Sequence, residues 1–117
     1  MRLEDNLQIA CVKWFRLQHP KYIITQFPAG NVFSGDDIKR KRTGKRMKDL
    51  GYENGTPDLL ILHDNGNILF IEVKTLTGRQ SASQKEFQRK AHELGHNYEV
   101  VRSLNEFIMT VNKHLKK

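Results

Sequence analysis

Residues 55–74 read GTPDLLILHDNGNILFIEVK, and the reading of this stretch decides the fold. Two apolar runs, LLIL at 59–62 and ILFI at 68–71, flank Asp64-Asn65-Gly66. Turn residues between strand-forming segments predict a β-hairpin. Both runs are apolar on both faces, the pattern of strands covered on two sides within a sheet. Asp58 opens the first strand and Glu72 closes the second, so each carboxylate is expected beside a core. Lys74 follows Glu72 at a spacing of two and shares its face, while Val73 between them offers its backbone carbonyl on the strand edge.

The loop length decides whether Asp58 joins them. A two-residue loop of Asn65-Gly66 sets Asp58 opposite Val73 and turns it away from Glu72. A three-residue loop, Asp64-Asn65-Gly66, built as a type I turn with Gly66 in the left-handed position, pairs His63 with Asn67 and sets Asp58 opposite Glu72. The second register is the expected one. Directly opposed carboxylates repel unless a cation lies between them, so this arrangement anticipates a hard divalent metal held by oxygen atoms. Magnesium is the natural candidate, with manganese as a substitute.

Pro57-Asp58 and, after thirteen intervening residues, Glu72-Val73-Lys74 resemble the PD-(D/E)XK motif of the restriction-endonuclease-like nucleases. A bare D…ExK match is more often a surface hairpin with charged ends. The string GTPDLLIL, the EVK and a downstream Ser83-Gln84 followed by a helix look most like the virus-type replication-repair nuclease (VRR-NUC) domain. That resemblance implies that Asp58, Glu72 and the carbonyl of Val73 hold the metal, with Glu4 of the first helix reaching it directly or through water. It also implies that Gln84 orients the water or phosphate, while Lys74 stabilises charge on the phosphoryl group. Plainer roles stand beside these: Glu4 as a favourable charge at a helix start, Gln84 as a capping partner, and Lys74 as the ion-pair partner of Glu72.

At 117 residues the chain is expected to form one domain with a real core. Cys11 is the only cysteine, which excludes an intrachain disulfide and suits a reducing, cytoplasmic setting, with the thiol read as a small buried hydrophobe. No apolar run approaches a membrane span and the amino terminus lacks a signal peptide's apolar region, so no membrane partner is expected. The net charge of +7 is unevenly placed. Lys39, Arg40, Lys41, Arg42, Lys45, Arg46 and Lys48 crowd residues 39–48, while the other thirteen basic residues match the thirteen acidic ones. A solvated loop is the plain reading of such a run. Concentrated positive charge near a carboxylate site instead suggests a polyanion, and the run lacks the apolar face that a membrane-surface helix needs. DNA is the expected partner.

Along the chain, Leu3, Leu7, Ala10, Cys11, Trp14 and Leu17 recur at helical spacing, and Pro20 ends that helix. YIITQF at 22–27 reads as the first strand. Residues 30–38 read as a loop over the site, and the basic run either continues it or forms a short helix leading to Leu50-Gly51. Ser81 or Ser83 caps the next helix with Gln84 or Glu86 closing a capping box. Phe87, Ala91 and Leu94 form its buried side, and Gly95 ends it. YEVVR at 98–102 is a fourth strand reached by a helical crossover and therefore parallel to its neighbour. Ser103 with Glu106 starts a last helix whose Leu104, Phe107, Ile108, Val111 and Leu115 face inward. The fold class is α/β, a four-stranded mixed sheet flanked by helices in the order αβββαβα, as in the restriction-endonuclease-like core.

His92-Glu93-Leu94-Gly95-His96 also satisfies the HExxH pattern of zinc proteases. That chemistry needs both histidines on one face of a continuing helix and a third protein ligand. Gly95 interrupts the helix, and Glu99 and Arg102 stand where the extended pattern requires glycine and histidine. The expected function is therefore metal-dependent hydrolysis of DNA phosphodiesters, selective for branched forms such as flaps or junctions, with a homodimer suited to junctions. The alternative is a domain that keeps the nuclease fold only to bind nucleic acid.

Overall fold

The computed structural model describes residues 2–27 and 37–115. Its elements are α1 (Leu3–Gln18), β1 (Ile23–Gln26), α2 (Asp37–Asp49), β2 (Leu59–Leu62), β3 (Ile68–Val73), α3 (Ala82–Glu93), β4 (Asn97–Val101) and α4 (Leu104–Leu115). The expected order holds, with one element resolved further: the basic run is a thirteen-residue helix, α2, set between the first two strands. Most of the expected loop at 30–38 lies outside the described residues, as do the side chains of Lys39 and Arg40.

The four strands lie in sequence order, β1-β2-β3-β4. β1 and β2, like β2 and β3, are antiparallel, and β4 joins β3 in parallel after the α3 crossover. Leu59 pairs with Ile71 and Leu62 with Ile68, so Asp58 falls opposite Glu72 and the expected three-residue register is the one formed. The turn differs in kind from the one expected. Asn65 (φ 62°) and Gly66 (φ 74°) are both left-handed, and the Asn67 N–H bonds to the Asp64 carbonyl at 3.2 Å. Two positive φ angles make a primed turn, whose twist suits a hairpin, with Asp64 as the extra residue that sets the register. Asparagine tolerates the left-handed region, which permits this outcome at position 65.

One face of the sheet carries Leu59, Ile61, Leu69, Ile71, Val73 and Val101 and packs on Cys11, Phe15, Phe107 and Val111 of α1 and α4. The expected α1 stripe is correct at Leu7, Cys11 and Trp14 but not at its ends: Leu3 and Leu17 are exposed, and Phe15 is fully buried. Only the middle of a sixteen-residue helix lies over the sheet, and the i, i+4 pair Cys11 and Phe15 faces it. Burial pushes the Cys11 thiol up to about 12, as suits an inert core residue.

The other face bears Phe70, Glu72 and Tyr98 beneath α3. Phe87 of that helix packs edge-on to Phe70 at 5.6 Å and lies 6.1 Å from Tyr98. α3 covers only part of this face, which leaves Leu62 partly exposed. Leu94 is exposed too, contrary to expectation, because it forms the C-cap and lies past the packed turns. In α4, Phe107 and Val111 are buried, with Leu104 and Leu115 packed against the core.

Candidate active site

Asp58 enters β2 from a loop that runs hard against the start of α3. Gly55 has φ +79°, and a Cβ built on it would stand 2.1 Å from the Ser83 carbonyl oxygen. Only glycine permits both that backbone angle and that approach. The buried Pro57 then fixes the chain as it turns into the strand.

Asp58 and Glu72 share the α3 face of the sheet but are held by different means. Asp58 Oδ2 accepts the Val73 N–H at 2.7 Å. Glu72 is fully buried, and its Oε1 accepts from the Tyr98 hydroxyl and from Gln80 Nε2 at 3.3 Å. Its Oε2 has no hydrogen-bond partner and lies 3.8 Å from Lys74 Nζ. Lys74 is fixed by its N–H on the Val101 carbonyl at 3.0 Å. The turn beyond it is clamped by Arg102 Nη1, which donates to the carbonyls of Thr75 (2.7 Å) and Gly78 (2.6 Å). Arg102, the residue that breaks the zinc-protease pattern, thus serves to hold the loop after Lys74.

The electrostatics disfavour the charged form of Asp58. Asp58 is raised to about 6, chiefly by burial, with Glu72 and Glu4 pushing it further and the Val73 N–H and Lys74 pulling it back. Glu4 therefore lies within electrostatic reach of Asp58. A buried carboxylate oxygen without a donor is destabilising by about 1–3 kcal/mol or more, unless a cation completes it. Among the described residues no three or more His, Cys, Asp or Glu side chains are grouped to hold a metal ion. Asp58 and Glu72, opposed on the α3 face, with the Val73 carbonyl between Glu72 and Lys74 in the chain, offer a sparse set of oxygens. Magnesium suits such a set, because it keeps several waters and binds through one or two carboxylates plus substrate phosphate. The residues present fit that ion.

The structure places Gln84 elsewhere than at the carboxylates. Its Oε1 accepts the Ser81 N–H at 2.8 Å while its own N–H bonds Ser81 Oγ, the reciprocal capping box of α3. The glutamine that reaches Glu72 is Gln80, which also bonds Gln88 Oε1 at 2.9 Å. Sequence reasoning missed Gln80 and Tyr98. A tyrosine within an apolar strand was the available signal, since a buried hydroxyl must find a partner.

Lys41, Arg42, Lys45, Arg46 and Lys48 are exposed on α2, with Lys45 3.2 Å from Asp49. Lys39 and Arg40 belong to the same helix. His92 and His96 are both exposed, and Gly95 (φ 86°) separates them, so they do not share a helical face.

The family model of the VRR-NUC domain matches residues 3–105. A solved structure described as a VRR_NUC domain protein is 21% identical, with 99% of this chain and 90% of that one covered at a TM-score of 0.76. A second, described as a VRR_NUC domain, is 20% identical, with 95% of each chain covered at a TM-score of 0.64. No functionally curated protein matches the chain.

Proposed function

The chain belongs to the VRR-NUC family of nuclease domains, and from that premise we propose that it is a metal-dependent DNA endonuclease centred on Asp58, Glu72 and Lys74. The observation that carries this reading is the buried, donorless Oε2 of Glu72, with Asp58 opposite and the Lys74 ammonium 3.8 Å away. Asp58, Glu72 and the Val73 carbonyl would hold magnesium, or manganese in its place, with Glu4 adding negative charge nearby. When bound, the ion supplies Lewis-acid polarisation of the phosphate and lowers the pKa of water.

The chain's own groups do the rest. Lys74 neutralises the charge that builds on the phosphoryl oxygens and holds the attacking water. Tyr98 and Gln80 hold Glu72 in one orientation, so its free oxygen stays aimed at the reacting centre. The exposed face of α2 neutralises phosphates outside the reacting position. Its basic run carries no aromatic side chain, so contacts there follow the shape and charge of the DNA rather than its base sequence. Branched DNA is the assigned substrate, and a homodimer supplies the two sites that a junction needs.

The test is a panel of labelled single-stranded, duplex, flap and junction DNAs with magnesium, manganese or calcium. Cleavage of branched forms with magnesium or manganese is expected, and none by Asp58→Ala or Glu72→Ala. Binding without cleavage under every metal would make the protein a nucleic-acid-binding domain on a nuclease fold. Robust magnesium-dependent cleavage by Asp58→Ala would refute the assigned site.

A further inference from the structure

A cavity of about 360 Å³ opens between the end of α2, the loop that follows it and α3. That volume lies near the lower end of the roughly 300–1,000 Å³ typical of small-molecule pockets. Three aromatic rings line it, Phe27, Tyr52 and Phe87, together with the Met47 thioether. Its polar side-chain groups come from three residues, the Glu53 carboxylate and the hydroxyls of Tyr52 and Thr56. Rings and a thioether suit a flat, polarisable ligand that stacks, and a carboxylate at the wall rejects phosphate.

The cavity adjoins the reacting centre. Thr56 lies two residues before Asp58, and the Phe27 N–H bonds the Asp58 carbonyl at 3.3 Å. Phe87 packs on Phe70, which is two residues from Glu72 on the same face of β3. Phe70 and Glu72 are about 7 Å apart along the strand, and the Phe87 ring centre lies a further 5.6 Å from that of Phe70. Met47 lies between Arg46 and Lys48 in α2, and both of those side chains are exposed.

We propose that this cavity receives one unpaired nucleobase of the DNA, a single nucleotide from the phosphate held at Asp58, Glu72 and Lys74. The proposal rests on the endonuclease reading and sharpens its substrate: the pocket selects strands with an unpaired nucleotide beside the cut. The rings stack the base and the α2 cations hold its flanking phosphates. A base inside an intact duplex must first unstack and unpair, whereas one in a flap, a junction or a single strand enters freely.

The test uses the whole protein with calcium and single-stranded oligonucleotides carrying 2-aminopurine at successive positions, with the paired duplex as control. One position is expected to lose fluorescence on binding, as the probe stacks on the rings. Tyr52→Leu and, separately, Phe87→Leu remove a ring while keeping apolar volume. Each should abolish that quenching and weaken single-strand affinity roughly tenfold, with duplex affinity and manganese binding unchanged. Two variants from different elements guard against a folding defect in either. Quenching that survives both substitutions, or an equal loss on duplex, overturns the pocket. A wild-type protein that binds and cuts DNA with no quenched position sinks the pocket alone, whereas one that binds no DNA sinks the endonuclease reading as well.

Discussion

The Tyr98 hydroxyl, on the strand parallel to β3, donates to Oε1 of Glu72 and leaves Oε2 as the oxygen without a donor. The tyrosine thereby decides which oxygen of the carboxylate is available. Tyr98→Phe should lower manganese affinity at least tenfold, the usual scale for an outer partner of a metal ligand. It should also reduce stability by about 1–2 kcal/mol, because a buried acceptor loses its strongest donor. Calorimetric titration of manganese and urea unfolding read the two effects. An unchanged metal affinity would remove Tyr98 from the site's machinery.

Asp58 makes stability depend on pH. Its carboxyl is raised from an ordinary 3.8 to about 6 in the folded chain. The stabilisation it lends is therefore full below pH 3.8 and is lost as the pH rises through 6. Asp58→Asn keeps an acceptor for the Val73 N–H without the charge. It should match wild type in strong acid and exceed it above pH 6 by about 2–3 kcal/mol, at about 1.4 kcal/mol per pH unit. Saturating magnesium should narrow the gap by stabilising wild type only. Thermal melts across pH, with and without the ion, check both statements. A wild type that gains on the variant as the pH rises without metal would contradict the sign.

Two glycines with similar backbone angles should respond differently to alanine. Gly66 has φ +74° and open space around it, so Gly66→Ala meets only the backbone penalty, about 1 kcal/mol. Gly55 has φ +79° and the Ser83 carbonyl in the way, so Gly55→Ala must also displace the start of α3. A loss above about 2 kcal/mol is expected there. Urea midpoints for the pair separate sterics from backbone preference, and equal losses would mean that α3 yields freely.

The charge on α2 and the carboxylates of the sheet should separate in a salt titration. Replacing Lys41, Arg42, Arg46 and Lys48 by glutamine is expected to weaken DNA binding across sequences and leave manganese binding alone. Each lost phosphate contact flattens the slope of log affinity against log salt by roughly 0.9, so four contacts flatten it by about 3 to 4. An unchanged slope would place the DNA path elsewhere.

The sheet and the register of Asp58 against Glu72 were legible because strand alternation and loop length are local quantities, carried by the twenty residues 55–74. The parallel placing of β4 followed from the intervening helix. What reaches Glu72 from other elements was not legible. Gln80 sits in a connector with no periodicity, and Tyr98 meets Glu72 only because Phe70 pairs with Tyr98 across the parallel ladder. Gln84 was a credible candidate from its place after Glu72-Val73-Lys74, but the backbone at the helix start competes for its side chain and wins. The turn type was misjudged because Asn65 accepts a left-handed angle that most residues avoid.

The contact between Gly55 and Ser83 is backbone against backbone, with no side chain in the gap. Its width therefore cannot be adjusted by substitution at any position except Gly55 itself, where any Cβ is excluded. The distance from the start of α3 to the entry of β2 is a constant of the architecture. Diversification of this scaffold, in nature or in the laboratory, is left to the parts that tolerate new side chains: the exposed face of α2 and the walls of the cavity beside it.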